Sequence, residues 1–530
     1  MGLWNLYFIA KIYLASIDVL KPIWWLNLLF ALALLVPLSR RWQSTTRQVL
    51  ALVVAFALMY RESSLPPIGY VLTQLSGLAG FSPTYLMELA RRVFKPAMIY
   101  VPIAAILIYV VVNRWIRVTT LVLLALIVFP LWQSMGALIA KSAGGQQYAT
   151  GTGSDEAAAN ANANANATTG SYDDQLAAFH LNEKNRHVAF FPMSAIPSAQ
   201  FDIIIIHICS LSWDDLDVVN MRDNPLFSRF DYIFKNFSSA ASYSGPAAIR
   251  LLRASCGQQA HKDLYSQAPQ DCHLFSDLAA AGYDVQFLMN HDGRFDNFRG
   301  VIEREIGPAG LQPISNEGLP PAMRAFDGSP LISDYDVLAR WYQSRLNGEA
   351  RPVALYYNTV TMHDGNRLPN SNLTSQQSYP VRLKTMLDDI DRLILLIQHS
   401  GRKAVLVFVP EHGAALRGDA GQVSGLREIP TPRIVNVPVG VKLIGLPTPA
   451  NQAGHSVVID APSSYLALAQ LLSGLVANSP FREGAPAPDQ YATDLPQTRL
   501  VGENENTVTM KTPEGYVIHT PDNVWIEGKP

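Results

Sequence analysis

The sequence predicts two dissimilar parts, an N-terminal α-helical transmembrane bundle and a C-terminal α/β domain with a central, mostly parallel sheet between helices. Three observations predict this. Residues 1–140 are dense in Leu, Val, Ile, Ala and Trp, whereas beyond about residue 170 the mix is that of an ordinary soluble domain. Between them lies GTGSDEAAANANANANATTG, a tract with almost no large apolar residue, which cannot build a core. Two later runs, FDIIIIHIC (201–209) and KAVLVFVP (403–410), are apolar nearly throughout, the pattern of strands buried on both faces of a parallel sheet. The expected boundaries are 1–140 for the transmembrane domain, 141–180 for a flexible linker and 181–530 for the α/β domain. A net charge of −2 provides no electrostatic footprint for nucleic acid.

About five helices are expected to span the bilayer, over residues 3–20, 22–38, 48–60, 97–113 and 118–136. A span needs about 20 mostly apolar residues, so the third is short, and the first carries Lys11 and Asp18. No cleaved signal peptide is expected, because hydrophobic segments recur and no small-residue cleavage pattern stands out. Arg40, Arg41 and Arg47 share one short loop, and Arg114 and Arg117 share another, which sets both on the cytoplasmic side. Everything after residue 140 then lies outside. Arg91, Arg92 and Lys95 also fall outside, against that rule, and PTYLMELARRVFK reads as an amphipathic helix on the outer surface. The linker gives reach without fixed geometry.

Disulfides form outside a bacterial inner membrane. Cys256 and Cys272 are the expected pair, the alternative being two unpaired thiols in a hydrophilic loop. Cys209 remains. Its plainer reading is a small buried apolar residue. Its position suggests more, since it ends a buried strand, where α/β sheets bind ligands. Ser212 is placed to cap the helix that follows.

The second buried strand ends in Pro410, Glu411, His412 and Gly413. Consecutive strand side chains point to opposite faces, so one site for both Glu411 and His412 requires a turning chain, which Gly413 permits. Cys209, Glu411 and His412 supply a thiolate, a carboxylate and an imidazole, all accepted Zn²⁺ ligands. Three protein ligands and an open fourth position is the catalytic zinc pattern. The alternative is a solvated Glu-His pair.

In SSAASYSGPAAIRLLRASCG, Pro246 fits a first helical position, leaving Ser244 just before a helix N-terminus, which favours an anion. A serine there, beside a metal, is a candidate phosphate-attacking nucleophile. A simple capping serine is the alternative, and Ser238, Ser239 and Ser242 compete on sequence alone. His291, Asp292 and Asp296 in MNHDGRFDNF are candidates to shape an acceptor or ammonium pocket.

These segments, with NTVTMHDGN and VPEHG, together resemble the membrane-bound phosphoethanolamine transferases of bacterial cellulose-synthesis systems, within the alkaline phosphatase superfamily. The match runs through nearly the whole chain, and PEHG is a variant of the superfamily's Asp-His-Gly signature. The resemblance implies an alkaline phosphatase/sulfatase-type domain, with Cys209, Glu411 and His412 as zinc ligands and Ser244 as metal-bound nucleophile. It implies that Tyr243, His363 and Arg427 act at the phosphate or substrate, and it pairs Cys256 with Cys272. The implied reaction moves phosphoethanolamine from phosphatidylethanolamine to the glucosyl 6-hydroxyl of cellulose. The implied setting is a multi-pass inner-membrane protein with a periplasmic catalytic domain touching the membrane subunits of cellulose synthase. Lipid A-modifying relatives use a threonine nucleophile and no cysteine ligand, so the acceptor rests on the cellulose branch.

Read as chemistry, Ser244 attack expels diacylglycerol and leaves a phosphoethanolamine–serine intermediate, which a glucan hydroxyl then attacks. His363 serves as acid and then base, and Arg427 clamps phosphate oxygens. Tyr243 either orients phosphate or packs. Competing readings are a metal-dependent phosphodiesterase or sulfatase that uses water, a thiol hydrolase using Cys209 with His412, and a non-catalytic membrane scaffold of the synthase.

Overall fold

The described residues of the N-terminal quarter are mainly helical. The helices are α1 (Trp4–Ser16), α2 (Trp24–Leu35), α3 (Arg41–Glu62), α4 (Pro83–Val93), α5 (Ala97–Val112) and α6 (Val118–Ala143). The structure, a computed structural model, describes residues 2–16, 20, 22–63, 80–93, 97–143, 170–348, 351–419, 422–446 and 456–528, with the backbone alone for 93, 97–99 and 131–143. Asp18, Lys95 and most of the expected linker lie outside the described residues. Two compact units result, one of Met1–Gly77 with Val93–Ala159, the other of Leu78–Arg92 with Asn160–Pro530.

The first unit departs from the expected five spans. Among the described residues, no helix is long and apolar enough to cross a membrane. α1 and α2 have 13 and 12 residues, short of the roughly 20 needed. α3 has 22 but opens with the polar run Arg41-Trp42-Gln43-Ser44-Thr45-Thr46-Arg47. The unit nevertheless buries a small polar group beside a core of Phe8, Phe30, Leu34 and Leu58, and its outside is apolar. Lys11 lies buried 2.5 Å from Glu62 and 2.6 Å from Asn27, which in turn donates to Glu62 at 2.6 Å. Outward, Trp25, Leu52, Phe56 and Leu107 are each more than 60% exposed. The charge that weakened the first span in sequence is thus neutralised within the helix cluster.

The second unit begins with α4 and resumes at α7 (Tyr172–Lys184). Its strands are β1 (Asp202–Ile208), β2 (Tyr232–Ser238), β3 (Asp284–Met289), the hairpin β4 (Pro321–Arg324) and β5 (Pro330–Ile332), β6 (Val353–Thr359), β7 (Ala404–Pro410), β8 (Asn436–Ile444) and β9 (Val457–Ile459), then β10 (Val501–Glu503), β11 (Val508–Thr512), β12 (Gly515–His519) and β13 (Trp525–Gly528). The main helices between them are α8 (Trp213–Val218), α9 (Ser244–Leu252), α10 (Asp334–Asn347), α11 (Ser375–Ser400) and α12 (Tyr465–Ala477). The main sheet runs β3-β6-β1-β7-β8-β2-β9. Only β8 runs antiparallel, to β7 and to β2, so the sheet is mixed but mostly parallel.

β1 is central, between β6 and β7, and every residue in it is buried. Its isoleucines divide by parity. Ile203 and Ile205 pack with α12, while Ile204, Ile206 and Ile208 pack with α10 and α11. Each such side chain contributes about 1.5–3 kcal/mol on burial, which is why this strand tolerates almost no polar residue. At its start Asp202 takes Arg345 Nη2 at 2.9 Å and the Val353 amide at 2.8 Å, tying α10 and β6 to the strand.

The Cys256–Cys272 disulfide is present, and Cys209 is free and buried. The antiparallel sheet β10–β13, unforeseen in sequence, packs on α7 through Phe179, Val501, Met510 and Val517. Glu503 of β10 meets His180 of α7 at 3.0 Å and Arg250 of α9 at 3.1 Å.

Candidate active site

The C-terminal ends of β1 and β7 place the predicted ligands side by side. The ladders continue past the strands, with the Cys209 amide donating to Thr359 O at 2.9 Å and the Glu411 amide to Ile208 O at 2.8 Å. Both residues are therefore held by the sheet rather than by a loose loop. Ser210 then takes a left-handed φ of 62°, an unusual conformation for a non-glycine residue, and bends the chain away. Ser212 caps α8 as expected, in a capping box with Asp215. The Asp215 carboxylate also receives the Ala414 amide at 2.7 Å and the Leu416 amide at 3.2 Å, so it fixes the segment after His412. Gly413 is needed for a different reason from the one expected. Its φ is not positive; a Cβ there would meet Ser212 Oγ at 2.7 Å.

Cys209, Glu411 and His412 are all fully buried, and their ligand atoms lie within 4.8 Å of one another. His412 Nδ1 sits 2.9 Å from Gly413 O, and a carbonyl can only accept. The proton is therefore on Nδ1, and Nε2 keeps its lone pair. That lone pair faces Cys209 Sγ at 3.9 Å and Ser244 Oγ at 3.5 Å. Glu411 Oε1 takes the Asn358 amide at 2.6 Å, whereas buried Oε2 has no hydrogen-bond partner among the described residues. Burial pushes the Glu411 carboxyl up to about 7, against the pull of Ser244, Asn358 and Arg427. Burial, with the Glu411 charge, pushes the Cys209 thiol up to about 12. Burial first and Arg427 second hold His412 well below its ordinary value. The donor set fits a divalent cation, which would cancel a thiolate and a carboxylate and take up the orphaned Oε2.

α9 brings Ser244 to this cluster. The helix begins at Ser244 with Tyr243 as its cap, so Pro246 is the third helical residue and not the first. Ser244 Oγ lies 3.4 Å from Cys209 Sγ, and the space above Gly245 is open, with nothing within 4 Å of a Cβ built there. The competing serines are engaged elsewhere: Ser242 donates to Arg427 O at 2.5 Å, Ser239 binds backbone carbonyls, and Ser238 Oγ accepts the Ala240 amide.

Arg427 is buried, its Nη1 3.1 Å from Ser210 Oγ and 3.0 and 3.3 Å from the two ring nitrogens of His412. Near-equal distances place the guanidinium over the imidazole face. Tyr243 lies under the same guanidinium at 5.5 Å and donates its hydroxyl to Glu428 at 2.5 Å. His363 stacks on Phe326 at 3.9 Å, and its Nδ1–H donates to Asp364 O at 2.6 Å, leaving Nε2 as acceptor. Burial, then Arg427, lowers His363 to about 3, so its resting form is neutral.

Sequence reasoning missed Asn358, which links Glu411 to His291 Nε2 at 2.9 Å, and His207, whose Nδ1 lies 3.7 Å from Glu411. Their signal was present, as the single polar side chain in IIIIHI and the asparagine in VALYYNT. His291 joins this network, while Asp292 and Asp296 do not reach the cluster through any hydrogen bond among the described residues.

Fold and cluster define a class: an α/β protein with a buried Cys-Glu-His group and a helix-start serine at the C-terminal edge of its sheet. The chain belongs to the cellulose biosynthesis protein BcsG family, residues 156–525 matching that family's C-terminal domain and residues 4–131 its N-terminal domain. It is 37% identical over 538 residues to the cellulose biosynthesis protein BcsG of Escherichia coli (strain K12), covering 99% of this chain and 95% of that protein. A solved alkaline phosphatase superfamily protein from Vibrio parahaemolyticus aligns with a TM-score of 0.46 at 12% identity, over 66% of this chain and 86% of that one. The soluble domain of lipooligosaccharide phosphoethanolamine transferase A from Neisseria meningitidis aligns at 0.40 and 13%, over 55% and 93%. At these values the structural likenesses assign no residue a role.

Proposed function

We propose that this chain transfers phosphoethanolamine from phosphatidylethanolamine to the 6-hydroxyl of cellulose glucosyl units through a covalent Ser244 intermediate. The observation that carries the reading is Ser244 Oγ at the start of α9, 3.4 Å from Cys209 Sγ and 3.5 Å from His412 Nε2. The family's name and the sequence resemblance support cellulose as the acceptor. Zn²⁺ held by Cys209, Glu411 and His412 would polarise a phosphoryl oxygen and lower the pKa of the serine hydroxyl.

In the first step the Ser244 Oγ–P bond forms, the bond to the diacylglycerol oxygen breaks, and that oxygen leaves with a proton. In the second, the glucan oxygen bonds phosphorus as the Ser244 Oγ–P bond breaks, the glucan hydroxyl gives up its proton, and Ser244 Oγ regains one. His363, neutral with a free Nε2, accepts the glucan proton. Its acid role in the first step requires it to be charged, which a bound phosphate anion favours by offsetting burial and Arg427. Arg427 pairs with phosphate oxygens, and the amides at the start of α9 face the same anion.

The first unit anchors the chain in a bacterial inner membrane beside the membrane subunits of cellulose synthase. Its buried Lys11–Glu62 pair and apolar exterior support this. The disulfide supports a periplasmic second unit. The test is peptide mass spectrometry of the full chain with phosphatidylethanolamine vesicles. The expected result is a phosphoethanolamine adduct on Ser244 that cellooligosaccharide discharges. Discharge by water at the same rate replaces the transferase reading with a hydrolase. An untouched donor supports the scaffold.

A further inference from the structure

α4 lies far from the site in sequence yet is part of the second unit, and its side chains reach the segment that carries His363. Arg92 donates to both Asp364 oxygens, at 2.6 and 3.0 Å, across 272 residues. Tyr85 donates to the same carboxylate at 3.0 Å. Burial alone would raise the Asp364 carboxyl, but these bonds and the Arg92 charge outweigh it and pull it below the usual carboxylate range. Asp364 offers its backbone carbonyl to His363 Nδ1. Phe326, stacked on the imidazole face, is held by the residues just before α4: its carbonyl takes the Ser82 amide at 2.9 Å, and Phe81 packs edge-on at 5.8 Å.

The domain is shaped to receive this helix. At Gly365, with φ +90°, a Cβ would lie 2.9 Å from the Tyr85 ring and 2.6 Å from Phe326 Cβ. At Gly425, with φ +86°, it would lie 2.6 Å from Arg92 Nη1. Glu88 completes the seat, bonding Arg92, Arg367 and the Ser375 amide.

We propose that Arg92 and Tyr85 are positioning residues for the reaction, holding Asp364 so that its carbonyl fixes the His363 ring with Nε2 turned to the acceptor hydroxyl. This rests on the reading above, in which His363 takes that hydroxyl's proton. The consequence is that a segment from the N-terminal third of the chain completes a site otherwise built after residue 200.

The test uses the full chain and the transfer of phosphoethanolamine from Ser244 to cellooligosaccharide. Arg92→Gln slows this transfer about 10-fold, part of the roughly 10²–10⁴ a proton-transfer residue supplies. Arg92→Lys, which keeps charge but loses the two-pronged contact, falls between. In a His363→Ala background Arg92→Gln adds no further loss, because the residue it acts through is gone. An equal loss in both backgrounds, or no loss in the wild type, overturns the proposal. Nitrogen-15 imidazole spectra follow His363 without substrate. The wild type is expected to show the Nδ1–H tautomer and Arg92→Gln a mixture, and an unchanged tautomer overturns the proposal too. A wild type that never forms the Ser244 adduct fails the reaction reading by itself, while the spectra still decide whether Arg92 holds His363.

Discussion

Asn358 gives the sharpest test of the proposed metal group. It is fully buried near the end of β6, with its amide 2.6 Å from Glu411 Oε1 and 3.4 Å from His207 O. Its own oxygen takes His291 Nε2 at 2.9 Å. Asn358→Ala removes one hydrogen bond to a carboxylate, worth about 1.5–3 kcal/mol. At about 1.4 kcal/mol per tenfold, zinc affinity falls about 10- to 100-fold, the range common for partners of metal ligands. Asn358→Asp costs more, because it sets a second carboxyl against Glu411 where a donor stood. The assay is competition for Zn²⁺ between the full chain and a chromophoric chelator. Affinity for Asn358→Ala within about twofold of wild type, at unchanged far-UV signal, would refute the claim that Asn358 orients a metal-binding carboxylate.

Two other predictions concern the scaffold and its pH dependence. Asp202→Ala takes from Arg345, whose side chain is 3% exposed, its buried carboxylate and costs about 3–5 kcal/mol; amide exchange in β1 and β6 reads the loss, and adding Arg345→Met recovers part of it. In the metal-free protein Glu411 is held up to about 7 from an ordinary 4.5, so between these values the native state binds more protons than the unfolded chain. Its contribution is complete below the lower value and is lost as pH rises through the upper one. The stability of wild type relative to Glu411→Gln therefore falls by about 3 kcal/mol across that window. Exchange in β7 measures this; a flat or rising difference refutes it, and saturating zinc removes the slope.

Elements whose causes are local were legible in the sequence. IIIIHI and AVLVFV read as strands buried on both faces, and both lie at the centre of the sheet. Ser212 read as a cap, and it caps. Cys209, Glu411 and His412 drew attention as reactive residues at the ends of such strands, and the fold brings them together. What was not legible depends on partners far along the chain. PTYLMELARRV shows an amphipathic helix, but nothing near Arg92 announces a carboxylate 272 residues later. An outer membrane surface was a fair reading of its charges; a seat against Asp364 needs the folded chain. Gly413 looked like a turn residue because glycine signals turns, whereas close packing on Ser212 was invisible before α8 was placed.

The contacts of β10–β13 also bear on the order in which the protein is made. A chain emerging N-terminus first delivers α7 and α9 long before the strands that bury them. Until Glu503 arrives, Arg250 lacks its carboxylate in the middle of the very helix that begins with Ser244. A chain cut short after β9 retains every residue of the candidate site, yet gives Arg250, on the helix that begins with Ser244, no carboxylate from Glu503.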